Sequence, residues 1–152
     1  MVLIRGAVAS DARQLAALRW DLHAEDIPLD PSRREPFIDR HTRWFADALK
    51  GDWVAWVAED SGRLYGHVFV RRVDRVPSPR DGASAIGYVT NFWVIPSMRK
   101  QGIGGELLRQ MRAWAEGVPL AALVVWPSDA SLRNYEDVGF TAGEVLQLPI
   151  KS

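Results

Sequence analysis

The sequence predicts an α/β protein in which helices cover both faces of one mixed, mostly antiparallel sheet. The first observation is the order of its apolar runs and amphipathic stretches, which is β-α-α-β-β-β-α-β-α-β. The second is a tight turn between the second and third strands, which implies an antiparallel hairpin. The third is a helix between the fourth and fifth strands, because a β-α-β unit makes its two strands parallel in the same sheet.

The first half of the chain is expected to supply one strand, two helices and the hairpin. Ser10 or Asp11 can cap a helix that follows a first strand at 2–7. After a break at two prolines, a second helix is expected from about Arg34 to Lys50. The hairpin strands are then 53–59 and 64–73, joined by a turn at 60–63. The earlier of the two is apolar at nearly every position, so both of its faces are expected to be covered.

The second half is expected to supply the parallel pair and two further helices. A proline-rich surface loop at 76–82 precedes a long apolar strand at 85–95. The next helix carries an apolar stripe of helical period and is stopped by Gly117 and Pro119. The remaining elements are a buried strand at 120–126, a short helix capped by Ser128 or Asp129 that runs to Asp137, and a last strand within 140–148.

Composition and charge argue against several classes of function. The chain has 152 residues, enough for a single domain, 1–152, with its own core. A formal net charge of zero gives no support to a nucleic-acid or membrane partner, because both call for a basic excess. The absence of cysteine excludes thiolate catalysis, and the scattered histidines show no metal-ligand spacing. The first residues do not resemble a secretory signal, so a cytoplasmic location is expected.

A basic loop with two glycines joins the fourth strand to the amphipathic helix. Its sequence is Arg-Lys-Gln-Gly-Ile-Gly, residues 99–104. Backbone N–H groups at a helix N-terminus favour an anionic ligand, and glycines let phosphate oxygens approach the backbone closely. Arg99 and Lys100 add positive charge at the same place. The loop therefore indicates a pyrophosphate site, while glycines that serve only the turn are the alternative interpretation.

A second segment that could take part in catalysis is Tyr-Glu-Asp-Val-Gly-Phe at 135–140. A tyrosine hydroxyl is protonated at neutral pH, so Tyr135 can act as a general acid toward a departing thiolate. A core tyrosine with an ordinary hydrogen bond is the alternative interpretation.

These two segments, in this order, resemble those of the GCN5-related N-acetyltransferase (GNAT) family. The spacing Arg-x-x-Gly-x-Gly, with Val-x-Pro just upstream, resembles the acetyl-coenzyme A loop of that family. The family's Tyr-Glu-x-x-Gly-Phe segment is matched by Tyr135, Glu136, Gly139 and Phe140. The resemblance covers essentially the whole chain and implies the family's fold, in which the two parallel strands splay apart.

The resemblance also implies a reaction. The acetyl group of acetyl-CoA passes to a primary amine of a small molecule or peptide by direct attack in a ternary complex, and Tyr135 protonates the leaving thiolate. No metal is implied, and a homodimer is among the expectations because dimers are frequent in the family. The residues implied to bind acetyl-CoA are Phe92, Trp93 and Val94 at the strand end, Arg99, Lys100, Gln101, Gly102, Ile103 and Gly104 in the loop, and Ser128, where the family often has asparagine.

Two parts of the reaction have no clear residue in the sequence. The strand at 85–95 carries no acidic side chain that could serve as general base. The candidates for that role are Glu25 and Asp26 near the end of the first helix, or a water chain held by Tyr88, Thr90 and Asn91. Aromatic residues that could line the acceptor pocket are Trp20, Trp44 and Trp93.

A second function stays open at this point, namely a domain of the same fold that binds acyl-CoA as a ligand or sensor without turnover. The presence of Tyr135 favours the enzyme, because binding alone needs no acid. The lack of a visible base keeps the binding domain open as an alternative.

Overall fold

The computed structural model describes residues 1–80 and 82–151 and contains the expected mixed sheet. Asp81, in the proline-rich loop, and Ser152 lie outside the described residues. The strands are β1 (Leu3–Gly6), β2 (Trp53–Asp60), β3 (Arg63–Val73), β4 (Ala85–Val94) and β5 (Leu120–Val125), and they lie side by side in that order. The first three junctions are antiparallel and the junction of β4 with β5 is parallel, so the predicted topology of these five strands is confirmed.

The α-helices in the described residues lie on both faces of this sheet, as predicted. They are α1 (Ala12–Ala24), α2 (Arg34–Ala48), α3 (Ile103–Glu116) and α4 (Leu132–Asp137). Alternate residues of β2 explain its continuous apolar run, because Ala55 and Val57 belong to the core under α1 and α2, whereas Trp56 and Ala58 belong to the core under α3 and α4. No helix among the described residues is long and apolar enough to cross a membrane.

The predicted caps of α1 and α4 differ from the observed ones. Asp11 directly precedes α1, but its carboxylate accepts hydrogen bonds from the Val8 N–H and the Arg5 guanidinium instead of from the helix. The helix α4 begins at Leu132, because the oxygens of Ser128 form a turn with Ser131 before the helix starts.

Two predictions at the end of the sheet are wrong. The strand at 120–126 was expected to be buried, yet Ala121 and Ala122 are exposed, because β5 is the edge of the sheet. Residues 140–148 were expected to contain a last strand, yet they form none, and Leu146 and Leu148 project into solvent. A strand forms only where a neighbour pairs with its backbone, and no strand in the described part of the chain pairs with this segment.

The sheet opens at β4, and this opening positions the site. His67 pairs with Trp93 and Phe69 pairs with Thr90, so β4 has two residues, Asn91 and Phe92, opposite one residue of β3. Such an extra residue is a β-bulge. The ladder between β4 and β5 ends just before it, at the pair 89–125. Residues 90–94 consequently have no strand neighbour on the β5 side.

Candidate active site

A cavity of about 690 Å³ lies in the opening between β4 and β5. Its walls come from the end of α1, the free edge of β4, the glycine loop with the start of α3, and the segment that leads into α4. The sequence-predicted residues that line it are Phe92, Trp93, Val94, Arg99, Lys100, Gly102, Ile103, Gly104, Ser128 and Tyr135. Gln101 is the one residue among those predicted to bind acetyl-CoA or to act as general acid that does not line the cavity. A single cavity therefore brings together both segments that the sequence singled out.

The glycine loop enters α3 through a left-handed residue. Gly102 has a φ of 82°, which favours glycine, and its carbonyl accepts the N–H of Glu106 at the helix start. Gly104 is needed for a different reason, since a Cβ there would lie 3.0 Å from the ring of Phe92. The first N–H groups of a helix have no partner within it. The start of α3 lines the cavity, so these donors and the helix dipole are available to an anion.

The side chain of Arg99 is engaged with other protein groups. Its Nη2 donates a hydrogen bond to Glu25 Oε1 at 2.8 Å, its Nη1 forms an ion pair with Oε2 at 2.8 Å, and its Nε donates to the carbonyl of Val94 at 2.9 Å. It also lies over the ring of Trp93, 5.8 Å from the ring centre. Arg99 therefore connects the loop to the end of α1. Lys100 forms no ion pair with the described residues, so it is the loop's uncompensated positive charge.

Glu25, a candidate base, accepts hydrogen bonds from two neighbours. The donors are the Arg99 guanidinium and the indole Nε1 of Trp93, the latter at 3.1 Å. These hydrogen bonds lower the pKa of Glu25, because they favour its charged form. A carboxylate stabilised in this way is a weak proton acceptor. The arrangement suits Glu25 to holding α1 against the loop, whereas Asp26 lines the same cavity and keeps its candidacy as a base.

Tyr135 lies at the first turn of α4 with its ring in the core. The ring contacts those of Phe92 and Phe140, with centroids 5.5 and 5.3 Å away. Burial raises the pKa of Tyr135, so its phenol stays protonated at every pH at which the protein would be assayed. The residue is thus both a core tyrosine and part of the cavity wall, and its two interpretations do not exclude each other.

Other predicted residues divide into those that reach the cavity and those that do not. Thr90 and Asn91 line it, but Tyr88 does not and packs its ring against that of Trp126. Trp20 and Trp44 pack against rings in α2 and β2 and lie outside the cavity wall. The hydroxyl of Ser128, which lines the cavity, binds Ser131. Within residues 1–80 and 82–151, no three His, Asp or Glu side chains group closely enough to hold a metal ion.

Sequence reasoning missed Arg19 and His67. Arg19 reaches from α1 to donate a hydrogen bond to Asn91 Oδ1 at 3.0 Å, and burial lowers its pKa. His67 is wholly buried beneath the bulge and contacts the carbonyl of Asn91 through Nδ1 at 2.6 Å. A histidine within the apolar stretch 64–70 was the one available signal for the second of these contacts.

The acetyltransferase family that the sequence resembles has a sheet that opens at a parallel pair beside a glycine loop that starts a helix, and the structure has both features. The chain belongs to the acetyltransferase (GNAT) family, whose model matches residues 14–140. Family membership makes the chain an acyltransferase with a coenzyme A thioester as its cosubstrate.

Individual relatives support the same family. The N-alpha-acetyltransferase RimI of Mycobacterium tuberculosis is 27% identical over 139 residues, which are 91% of this chain and 78% of that protein. The crystal structure of a predicted acetyltransferase with acetyl-CoA from Clostridium acetobutylicum has a TM-score of 0.76 and 22% identity, and covers 98% of this chain and 96% of its own. Glucosamine-6-phosphate N-acetyltransferase from Arabidopsis thaliana has a TM-score of 0.72 and 17% identity, with coverage of 100% and 99%. At these identities the structural likeness concerns the fold.

Proposed function

We propose that this protein is an N-acetyltransferase that transfers the acetyl group of acetyl-CoA to a primary amine by direct attack in a ternary complex. The observation that carries the proposal is the single cavity between β4 and β5, which has the helix-start donors of α3 at one side and Tyr135 at the other. The names of RimI and of the glucosamine-6-phosphate enzyme, both N-acetyltransferases, support an amine as acceptor.

In this proposal the pyrophosphate of acetyl-CoA binds the N–H groups at the start of α3. Gly102, Ile103 and Gly104 supply that backbone, Lys100 supplies the free positive charge, and Gln101 contributes as part of the loop. Arg99 supports the loop from the side of Glu25, as its hydrogen bonds suggest. Because the pyrophosphate is an anion, both the charge and the N–H groups favour it.

The acetyl-bearing arm of the substrate lies along the free edge of β4. The backbone of residues 92–94 has no β5 partner and lines the cavity, so it can hydrogen-bond the arm and polarise the thioester carbonyl. Ser128 contributes from the opposite wall. This location sets the thioester between the bulge of β4 and Tyr135.

The transfer itself needs one bond to form and one to break. A neutral amine attacks the carbonyl carbon, the C–N bond forms, the C–S bond breaks, and the electron pair of that bond goes to sulfur. Tyr135 donates a hydrogen bond to the sulfur as negative charge develops there and then transfers its proton to the thiolate. Burial raises the pKa of the phenol, which keeps this donor protonated before the reaction but does not itself favour the transfer. The proton that the amine releases goes to solvent or to Asp26.

Substrate binding and turnover of wild type and Tyr135→Phe test the proposal. Acetyl-CoA at about 100 times its Kd should stabilise the protein by about 2.7 kcal/mol in a thermal-shift titration, and NAD and ATP should not. Release of CoA is then followed with a panel of peptides, aminoglycosides and amino-sugar phosphates. The phenylalanine variant should bind acetyl-CoA normally and lose about 10²- to 10⁴-fold in kcat.

A matched control is Tyr65→Phe, which removes the same hydroxyl from a tyrosine outside the cavity wall. Unchanged turnover in Tyr135→Phe would remove that residue from the mechanism. Tight acetyl-CoA binding without release of CoA for any acceptor would instead favour the second candidate, an acyl-CoA-binding or sensor domain. The ion pair of Glu25 with Arg99 is the observation behind this candidate, because it makes Glu25 a weak general base.

A further inference from the structure

We propose that His67 is a positioning residue for acetyl transfer, which fixes the carbonyl of Asn91 and thereby shapes the bulge of β4 that receives the thioester. This role rests on the proposed function, since it is the proposed site that gives the bulge its purpose. His67 touches no substrate in this proposal and acts through the backbone of residues 91–93.

The first support is the hydrogen bond beneath the bulge. His67 is wholly buried on β3, and its Nδ1 lies 2.6 Å from the Asn91 carbonyl oxygen. A carbonyl oxygen can only accept, so Nδ1 must carry the proton. The neutral ring then presents a single donor, and this donor is directed at the backbone of the bulge.

The second support is the backbone of Asn91. Its φ is 55°, a left-handed conformation that is unfavourable for residues other than glycine and is tolerated best by asparagine and aspartate. Two elements hold it there, because His67 on β3 binds its carbonyl oxygen and Arg19 on α1 binds its side-chain oxygen. A conformation that is held from both sides is one that the surrounding structure imposes.

The third support is the other nitrogen of the ring. Among the described residues, Nε2 of His67 is the one buried side-chain polar atom without a hydrogen-bond partner. Burying such an atom is unfavourable, and an apolar side chain of similar size would avoid it. What a histidine adds at this position is therefore the Nδ1–H bond to Asn91.

Two substitutions separate this role from a purely structural one. His67→Asn keeps an N–H donor close to the position of Nδ1 but leaves part of the ring's volume empty. His67→Phe fills the volume of the ring but has no donor. Each variant is measured for unfolding by urea, for acetyl-CoA binding by calorimetry, and for kcat and KM with the best amine found for the wild type.

His67→Phe fills the volume of the ring better than His67→Asn, but we expect it to be the less functional variant of the two. His67→Phe should lose about 10- to 100-fold in kcat or in acetyl-CoA affinity, because the thioester is misplaced, whereas His67→Asn should remain closer to wild type despite its cavity. Amide hydrogen exchange at residues 90–94 of the free protein should be faster in His67→Phe than in His67→Asn. If His67→Phe does not fold, His67→Leu takes its place.

Two results would overturn the inference, and they differ. Equal function and equal exchange in both variants, with an active wild type, would overturn the role of His67 and leave the proposed function intact. A wild type that binds no acetyl-CoA would overturn the proposed function, and the role of His67 with it.

Discussion

Acidification should destabilise this protein through His67. Burial lowers the pKa of His67 from 6.5 to about 4, because the cationic ring would lose its hydration in the core. The unfolded chain therefore binds a proton more readily than the folded one between these two values. Stability from this group is fully present above pH 6.5 and is lost as the pH falls toward 4.

The magnitude follows from the two pKa values. Each unit of difference corresponds to about 1.4 kcal/mol, so lowering the pH from 7 to 4 should remove about 3 kcal/mol through this one side chain. The ring is wholly buried, so solvent does not screen the effect. A loss of this size is a large part of the stability of an ordinary domain.

Urea unfolding at half-unit steps from pH 7 to pH 4, followed by tryptophan fluorescence, measures the effect. His67→Asn is the control, because it cannot titrate and retains every other ionisable group, including Asp11, Glu25 and His23, whose pKa values are also lowered. The free energy of unfolding of the wild type should fall by about 3 kcal/mol more than that of the variant. Parallel curves for the two proteins would refute a neutral, buried His67.

Three other substitutions have distinct expected results. Gly102→Ala should cost about 1 kcal/mol of stability and weaken acetyl-CoA binding in calorimetry, whereas Gly62→Ala, at the same φ of 82° in the β2–β3 turn, should cost as much stability and leave binding unchanged. Glu25→Gln should lower kcat by less than about tenfold and preserve the pH–rate profile, whereas loss of the limb of a general base would assign it that role. Asp11→Ala should lower the free energy of unfolding by about 2–4 kcal/mol, because it leaves a half-buried Arg5 guanidinium with only the more distant Glu59 carboxylate and the Gly6 carbonyl as partners, and a loss below about 1 kcal/mol would contradict this account.

The fold was predictable where the pattern along one segment determines the structure. The continuous apolar run of β2 signalled burial on both faces, and the helix between β4 and β5 signalled their parallel pairing. Prediction failed where structure depends on a neighbour. Residues 140–148 have the composition of a strand, but pairing is a property of two segments, and β5 stays an edge without them.

The candidate site divides in the same way. Residues of the glycine loop and Tyr135 are found by local motifs, and all of these except Gln101 line the cavity. The contact of Glu25 with Arg99 joins residues 74 positions apart, and no local motif announces it. The bulge is equally hidden, because it exists only in the comparison of β4 with β3.

The bulge makes the proposed site depend on the number of residues in β4. Val89 and Phe92 are three residues apart and yet both pack on the α3 side of the sheet, which a regular strand does not allow. Deleting Asn91 would put them two residues apart, so each later side chain of β4 would keep its face while the ladder with β3 became regular. We expect such a chain to fold and to bind no acetyl-CoA. The presence of one residue would then decide whether the sheet opens at this point. Deleting that residue would test the role of the bulge in activity more directly than a substitution, because a substitution leaves the extra residue in the strand.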